Sequence, residues 1–218
     1  MIPLRDENPS RHFPFLTITL IALNLVLFVY EISLGGGLEP FIQNFGVIPS
    51  KLMEGGPLVF PTLFTSLFLH GGWLHLLGNM LYLWIFGDNV EDSMGPFRFL
   101  FFYLLCGLIA TFTHIYFSPS SRIPTIGASG AISGVLGGYL VLFPRAHILT
   151  LVPVFYFIRM IHLPAYFLLT FWILFQLFSG FSSLPGSEAS GGVAWFAHIG
   201  GFFSGILLVK VFQKRRKR

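Results

Sequence analysis

Apolar residues in this chain gather into long runs with few polar interruptions. They do not recur at the spacing of one helix face or one strand face. A helix needs about 20 mostly apolar residues to cross a hydrocarbon core of ~30 Å. Six stretches meet or approach that length: 13–34, 63–86, 97–117, 127–143, 161–180 and 192–212. The pattern predicts an all-α membrane protein of six transmembrane helices. One membrane domain is expected over 1–218, with a basic tail over 213–218. Two further apolar stretches are too short to cross. Residues 57–69 carry Pro57 and Pro61 and lead into the second span, which predicts a partly embedded loop. Residues 148–158 are broken by Pro153 and read as interfacial. There is no internal repeat and no low-complexity linker, and the polar start over 1–12 gives no sign of a cleavable leader.

Composition strengthens this picture. The chain is 54% hydrophobic and only 10% charged, where a soluble domain carries about 25% charged residues. A chain of 218 residues with this balance must use the lipid bilayer as part of its solvent. The net charge of +4 comes from basic residues scattered between apolar runs and gathered at the C-terminus. That distribution argues for membrane orientation and against nucleic acid as a partner. With the N-terminus placed in the cytoplasm, only Lys51 and Arg122 of the 13 Lys and Arg fall on the outer side. This positive-inside bias predicts an even number of spans with both termini cytoplasmic. The lone Cys106 lies in an apolar run and forms no intrachain disulfide.

Polar side chains inside spans are costly and invite a functional reading. Here they are Asn24, His75, Asn79, Ser129, Ser133, Gln176 and His198. Asn24 and Gln176 read most simply as interhelical hydrogen-bonders. None of the nine acidic residues falls near the middle of a span, which argues against a carboxylate-driven proton pump or an aspartyl protease. With a rise of about 1.5 Å per residue, Ser129 and His198 lie about 9 Å, and His75 about 12 Å, below the outer edge of the core. One serine and two histidines from three helices thus share a level. Gly130, Gly134 and Gly138 form a small-residue stripe on the fourth span, and Ala197, Gly201 and Gly205 form one on the sixth. Such stripes let two helices approach closely. If these two pack, Ser129 and His198 face each other near the outer ends, with Ser133 flanking the contact.

This set permits nucleophilic catalysis. A serine hydroxyl needs a base, and imidazole suits that role near neutral pH. An acid mainly orients the imidazole, so its absence does not forbid a Ser–His pair. Ser129 sits in Gly127-Ala-Ser-Gly130, where a loop enters a helix and backbone N–H groups lack helical partners. Those groups can stabilise an oxyanion. His75 and Asn79 share one helix face at i, i+4 and can add donors. A metal site from His70, His75 and His198 is disfavoured, because His70 and His75 are five apart and no cysteine or carboxylate joins them. No metal and no cofactor is expected.

Together these residues resemble the rhomboid family of intramembrane serine proteases. The resemblance rests on His75-x-x-x-Asn79, on Gly127-Ala-Ser129-Gly130 with Gly137 seven residues on, and on Ala197-His198-x-x-Gly201-x-x-x-Gly205. It covers nearly the whole chain. It implies a rhomboid-like bundle in the minimal six-helix form of bacterial and archaeal members, placed in a prokaryotic cell membrane. It implies Ser129 as nucleophile and His198 as its base. His75, Asn79 and the Ser129 backbone N–H are implied as oxyanion stabilisers, and His70 as a structural residue bonding within the first outer loop. Transmembrane protein substrates are the implied partners, with admission past a Phe- and Trp-rich fifth span; packing against lipid accounts for those aromatics equally well. Two departures stand out. Residues 35–60 lack the Trp-Arg pair of many members, and Ser133 occupies a position where some members carry an aromatic against the histidine. Support for His198 must then come from elsewhere or be a hydrogen bond. The rival readings are a catalytically inactive rhomboid-like protein that binds membrane clients, and a small transporter or channel, which the missing repeat and the missing intramembrane charge disfavour.

Overall fold

A computed structural model describes residues 1–56, 59–154, 157–183 and 193–214. The longer helices follow the apolar runs. They are α1 (Phe15–Ser33), α5 (Trp73–Met94), α6 (Pro96–Phe117), α7 (Ser129–Leu142), α8 (Ala165–Ser182) and α9 (Trp195–Phe212). Four of them, α1, α6, α8 and α9, are long and apolar enough to cross a membrane. Helix α5 is as long as α6, but its C-terminal end carries Asp88, Glu91 and Asp92. Helix α7 is short and is buried without interruption from Gly130 to Tyr139. It forms the centre of the bundle, touching α5, α6, α8 and α9, while α1 packs outside α5.

Glycine makes that central position possible. A Cβ placed on Gly201 would lie 2.0 Å from the Gly130 carbonyl oxygen, one on Gly205 would lie 1.9 Å from that of Gly134, and one on Gly137 would lie 2.0 Å from that of Phe202. Helices α7 and α9 therefore meet backbone to backbone, as small-residue stripes allow. On the other side of α7, a Cβ on Gly130 would meet Ala110 at 2.7 Å and one on Gly134 would meet Cys106 at 2.4 Å, which brings α6 equally close. Much of the core is aromatic, with Phe86, Phe99, Phe102, Tyr103, Tyr139 and Phe202 all buried.

Several boundaries differ from the sequence expectation. The second span was expected over 63–86. Residues 62–68 instead form the short α4 (Thr62–Thr65) and a 3-10 turn (Ser66–Phe68), and the chain breaks at Gly71-Gly72 before α5 starts. The apolar run is continuous there, but Gly72 adopts a φ of 157° that a helix cannot contain. This replaces the expected embedded loop over 57–69 with helical turns; Pro57 and Leu58 lie outside the described residues. The fifth helix begins at Ala165, because residues 161–164 belong to a strand. The loop after α1 folds into α2 (Leu38–Phe45) and α3 (Pro49–Glu54). It is stitched by Val47 and Thr125, which exchange backbone hydrogen bonds of 3.2 and 2.7 Å, to the segment that leads into α7. The expected start of the sixth span at Gly192 and most of the basic tail, residues 215–218, lie outside the described residues.

The sheet was not anticipated. Strands β1 (Ile2–Asp6), β2 (His147–Val154) and β3 (Phe157–Pro164) form one antiparallel sheet in the order β1-β2-β3. The stretch expected to be interfacial is thus the middle strand and the start of the third. Two carboxylates tie this end of the molecule together. Glu91 of α5 accepts the backbone N–H groups of Leu16 and Thr17 at 2.9 and 2.8 Å and the Thr17 hydroxyl at 2.7 Å. It thereby satisfies the start of α1, where Pro14 offers no side-chain cap. Asp6 accepts the Tyr139 hydroxyl at 2.8 Å and the Asn89 amide at 2.9 Å, which links β1 to α7 and α5.

Candidate active site

Ser129 is the first residue of α7. The turn before it depends on Gly127, whose φ of 120° favours glycine. The Gly127 N–H donates to the Ser66 carbonyl at 2.8 Å. A Cβ at Gly127 would also lie 2.7 Å from His75 Nε2, so the absence of a side chain lets the imidazole lie against the backbone beside Ser129. His198 stands in the first turn of α9. The close contact of α7 with α9 brings its Nε2 to 2.8 Å from Ser129 Oγ. Both residues, and His75, are partly exposed.

The other ring nitrogen of His198 is also partnered. Nδ1 lies 2.8 Å from the Oε1 of Gln176 on α8. One turn earlier on the same helix, Trp172 lies against the imidazole with ring centroids 6.0 Å apart, and Trp195 meets it edge-on at 6.3 Å. Gln176 was read as a general interhelical hydrogen-bonder, and its bond does cross between helices. That its partner is His198 was invisible in the sequence, because α8 and α9 are joined through a segment with no pattern to fix their register. Ser133 does not reach the histidine. Its hydroxyl donates to the Ser129 carbonyl at 2.6 Å, one turn back on α7. Its Cβ instead packs 3.2 Å from where a Cβ on Gly201 would stand.

Opposite the serine, α5 contributes His75 and Asn79. Gly71 N–H points at His75 Nδ1 over a long 3.4 Å, which favours the proton on Nε2, the nitrogen facing Gly127. Asn79 is buried and its Nδ2 has no partner among the described residues. A Cβ at Gly127 would lie 3.7 Å from that nitrogen. The structure thus brings together Ser129, His198, His75 and Asn79, with Gly127, Gly130, Gly201 and Gly205 as the backbone contacts that permit the approach.

His70 was expected to bond within the first outer loop. Its ring is buried, interacts with the Phe68 backbone of that loop, and meets the His75 ring at 5.1 Å. Its backbone N–H donates 3.1 Å to Oε2 of Glu31, a buried carboxylate near the end of α1. Asn24 likewise bonds within its own helix, to the Leu20 carbonyl at 2.7 Å. Among the described residues, no group of three or more His, Cys, Asp or Glu side chains is placed to hold a metal ion.

Comparison with known families decides the kinship. Residues 59–215 match the rhomboid domain. The chain belongs to the rhomboid family. Rhomboid relatives include rhomboid protease GluP of Bacillus subtilis, 38% identical over 58% of this chain and 24% of its own length. Rhomboid protein 1 of Saccharomyces cerevisiae mitochondria is 30% identical over 70% of this chain and 43% of its own. RHOMBOID-like protein 1 of Arabidopsis thaliana is 28% identical over 93% of this chain and 54% of its own. This rhomboid therefore spans between a quarter and about half the length of those relatives. Its rhomboid domain and its apolar helices make it an integral, multi-pass membrane protein.

Proposed function

We propose that this rhomboid is an intramembrane serine endopeptidase that cleaves transmembrane segments of other membrane proteins near the outer face. The observation that carries the reading is the 2.8 Å contact between Ser129 Oγ and His198 Nε2 at the start of a short central helix. Helix α7 has 14 residues; at about 1.5 Å per residue it is about 21 Å long, some 9 Å short of a ~30 Å hydrocarbon core. This shortfall supports a dyad sunk below the lipid headgroups, and hydrolysis there requires a path for water from above. The positive-inside bias supports a topology with both termini in the cytoplasm and this end of α7 outside.

In this mechanism His198 Nε2 takes the Ser129 proton as Oγ attacks the scissile carbonyl carbon. The oxyanion of the tetrahedral intermediate accepts hydrogen bonds from the Ser129 N–H, the Asn79 amide and His75 Nε2–H. Collapse breaks the C–N bond, and the imidazolium returns its proton to the leaving amine. Water, deprotonated by the same imidazole, then hydrolyses the acyl-enzyme. The substrate must leave its helix locally, since a helical backbone holds its carbonyls in hydrogen bonds.

The test uses the purified chain in liposomes with a panel of single-span proteins. Wild type should cleave at least one of them and label with a fluorophosphonate, while Ser129→Ala and His198→Ala do neither. Wild type that binds single-span proteins but neither cleaves nor labels would instead identify an inactive, client-binding rhomboid.

A further inference from the structure

A neutral imidazole carries one proton on one of two nitrogens. His198 can accept the Ser129 proton only if that proton is on Nδ1, leaving the Nε2 lone pair free. With the proton on Nε2 the pair is inert. Nδ1 faces the buried side of the ring, toward α8, where an N–H without an acceptor is costly, so the tautomer is set by what Nδ1 faces. Among the described residues no carboxylate is hydrogen-bonded to this ring; the side chain within hydrogen-bond distance of Nδ1 is the amide of Gln176, its Oε1 at 2.8 Å. Gln176 is 5% exposed in the interior face of α8. Trp172 covers the ring from the same helix face, four residues earlier.

We propose that Gln176 is a positioning residue that completes a Ser129–His198–Gln176 relay by holding His198 as the Nδ1-protonated tautomer. An amide oxygen suits this location. It accepts the Nδ1–H and stabilises the imidazolium that forms during attack, yet it brings no charge into the membrane, where a carboxylate would have to be desolvated. The arrangement also accounts for Ser133, whose hydroxyl is held by the α7 backbone: the histidine takes its support from α8. The amide must present its oxygen. A flipped Gln176 would donate from Nε2 to Nδ1 and select the inert tautomer, so the assignment makes a definite statement about a proton.

The structural half of this proposal stands apart from catalysis; its kinetic half rests on the protease reading. The decisive measurement is the ring ¹⁵N spectrum of histidine-labelled protein in detergent micelles near neutral pH. His198 is assigned among the seven histidines by its loss in His198→Ala. Wild type should show His198 protonated on Nδ1. Gln176→Met, close in shape but without an acceptor, should give a mixture or the Nε2-protonated form, and Gln176→Glu should restore Nδ1 protonation. An Nε2-protonated wild type overturns the proposal without any variant, as does an unchanged tautomer in folded Gln176→Met. On a cleaved substrate, kcat of Gln176→Met should fall about 10- to 100-fold, within what a general base supplies, at nearly constant KM. A raised KM with unchanged kcat also overturns it. If the tautomers behave as stated and wild type still cleaves nothing, the protease reading fails and the positioning of His198 stands.

Discussion

Asn79 holds a buried amide nitrogen that has no partner among the described residues. An unsatisfied buried donor costs about 1–3 kcal/mol of stability. On the proposed protease mechanism, a donor left unpaired near Ser129 is also what an oxyanion needs, because its partner exists only during reaction. Stability and activity should then respond in opposite directions. In Asn79→Leu the melting temperature in detergent should hold or rise, while kcat should fall about 100-fold, the range typical for one lost oxyanion donor. A drop in both would mean that the amide supports the fold. At this scale the sequence was informative where chemistry sits at helical spacing. His75 and Asn79 share a face, and Ser129 opens a helix after a glycine, all from local pattern. It was uninformative about Gln176 and Glu31. Their partners, His198 and the His70 backbone, lie 22 and 39 residues away, across turns that set no register.

Among the elements, the α7–α9 contact decides whether the hydroxyl and imidazole meet at all. With carbonyl oxygens about as far from the would-be Cβ of Gly201 and Gly205 as a single methyl occupies, no rotamer can relieve a substitution there; the helices must separate. Gly205→Ala should cost at least the 1–3 kcal/mol typical of overpacking. It should also reduce cleavage, although Gly205 lies nearly two turns from His198 along α9. Gly78 of α5 is the control, since a Cβ there meets nothing within 4 Å. Gly78→Ala should be neutral or stabilise by up to about 1 kcal/mol, because glycine in a helix interior forfeits chain entropy. Thermal melts of both variants in one detergent check the contrast. The helices themselves were legible because apolar length is a local property. The start of α5 was not, since the apolar run extends back through α4 and only the backbone at Gly72 divides them. The sheet was least legible: β1 pairs Ile2 with Leu151, and no short-range pattern encodes a pairing at that separation.

On the scale of the whole molecule, the end that carries the sheet and the start of α1 is tied together by polar groups. Glu91 satisfies three donors at the start of α1. Glu91→Ala should therefore destabilise the chain by about 3 kcal/mol, at about 1 kcal/mol or more per stranded donor. The second tie carries a pH signature. Burial pushes the Asp6 carboxyl up to about 6, against the counteracting hydrogen bond from Tyr139. A carboxyl raised in the folded state binds its proton more tightly there than in the unfolded chain. Its contribution is fullest below about pH 4 and is lost as pH climbs through about 6, being flat beyond. Asp6→Asn keeps an acceptor for Tyr139 and removes the titration. Its stability relative to wild type should grow between about pH 4 and pH 6 and level off near 1 kcal/mol, Asp6 being partly exposed and so partly screened. Melting curves of the two proteins across that window give the difference directly, with the remaining carboxylates common to both. A difference that stayed constant with pH would mean that Asp6 is ionised at its ordinary value, and that β1 is joined to α7 by a charge-assisted bond at every pH in the window.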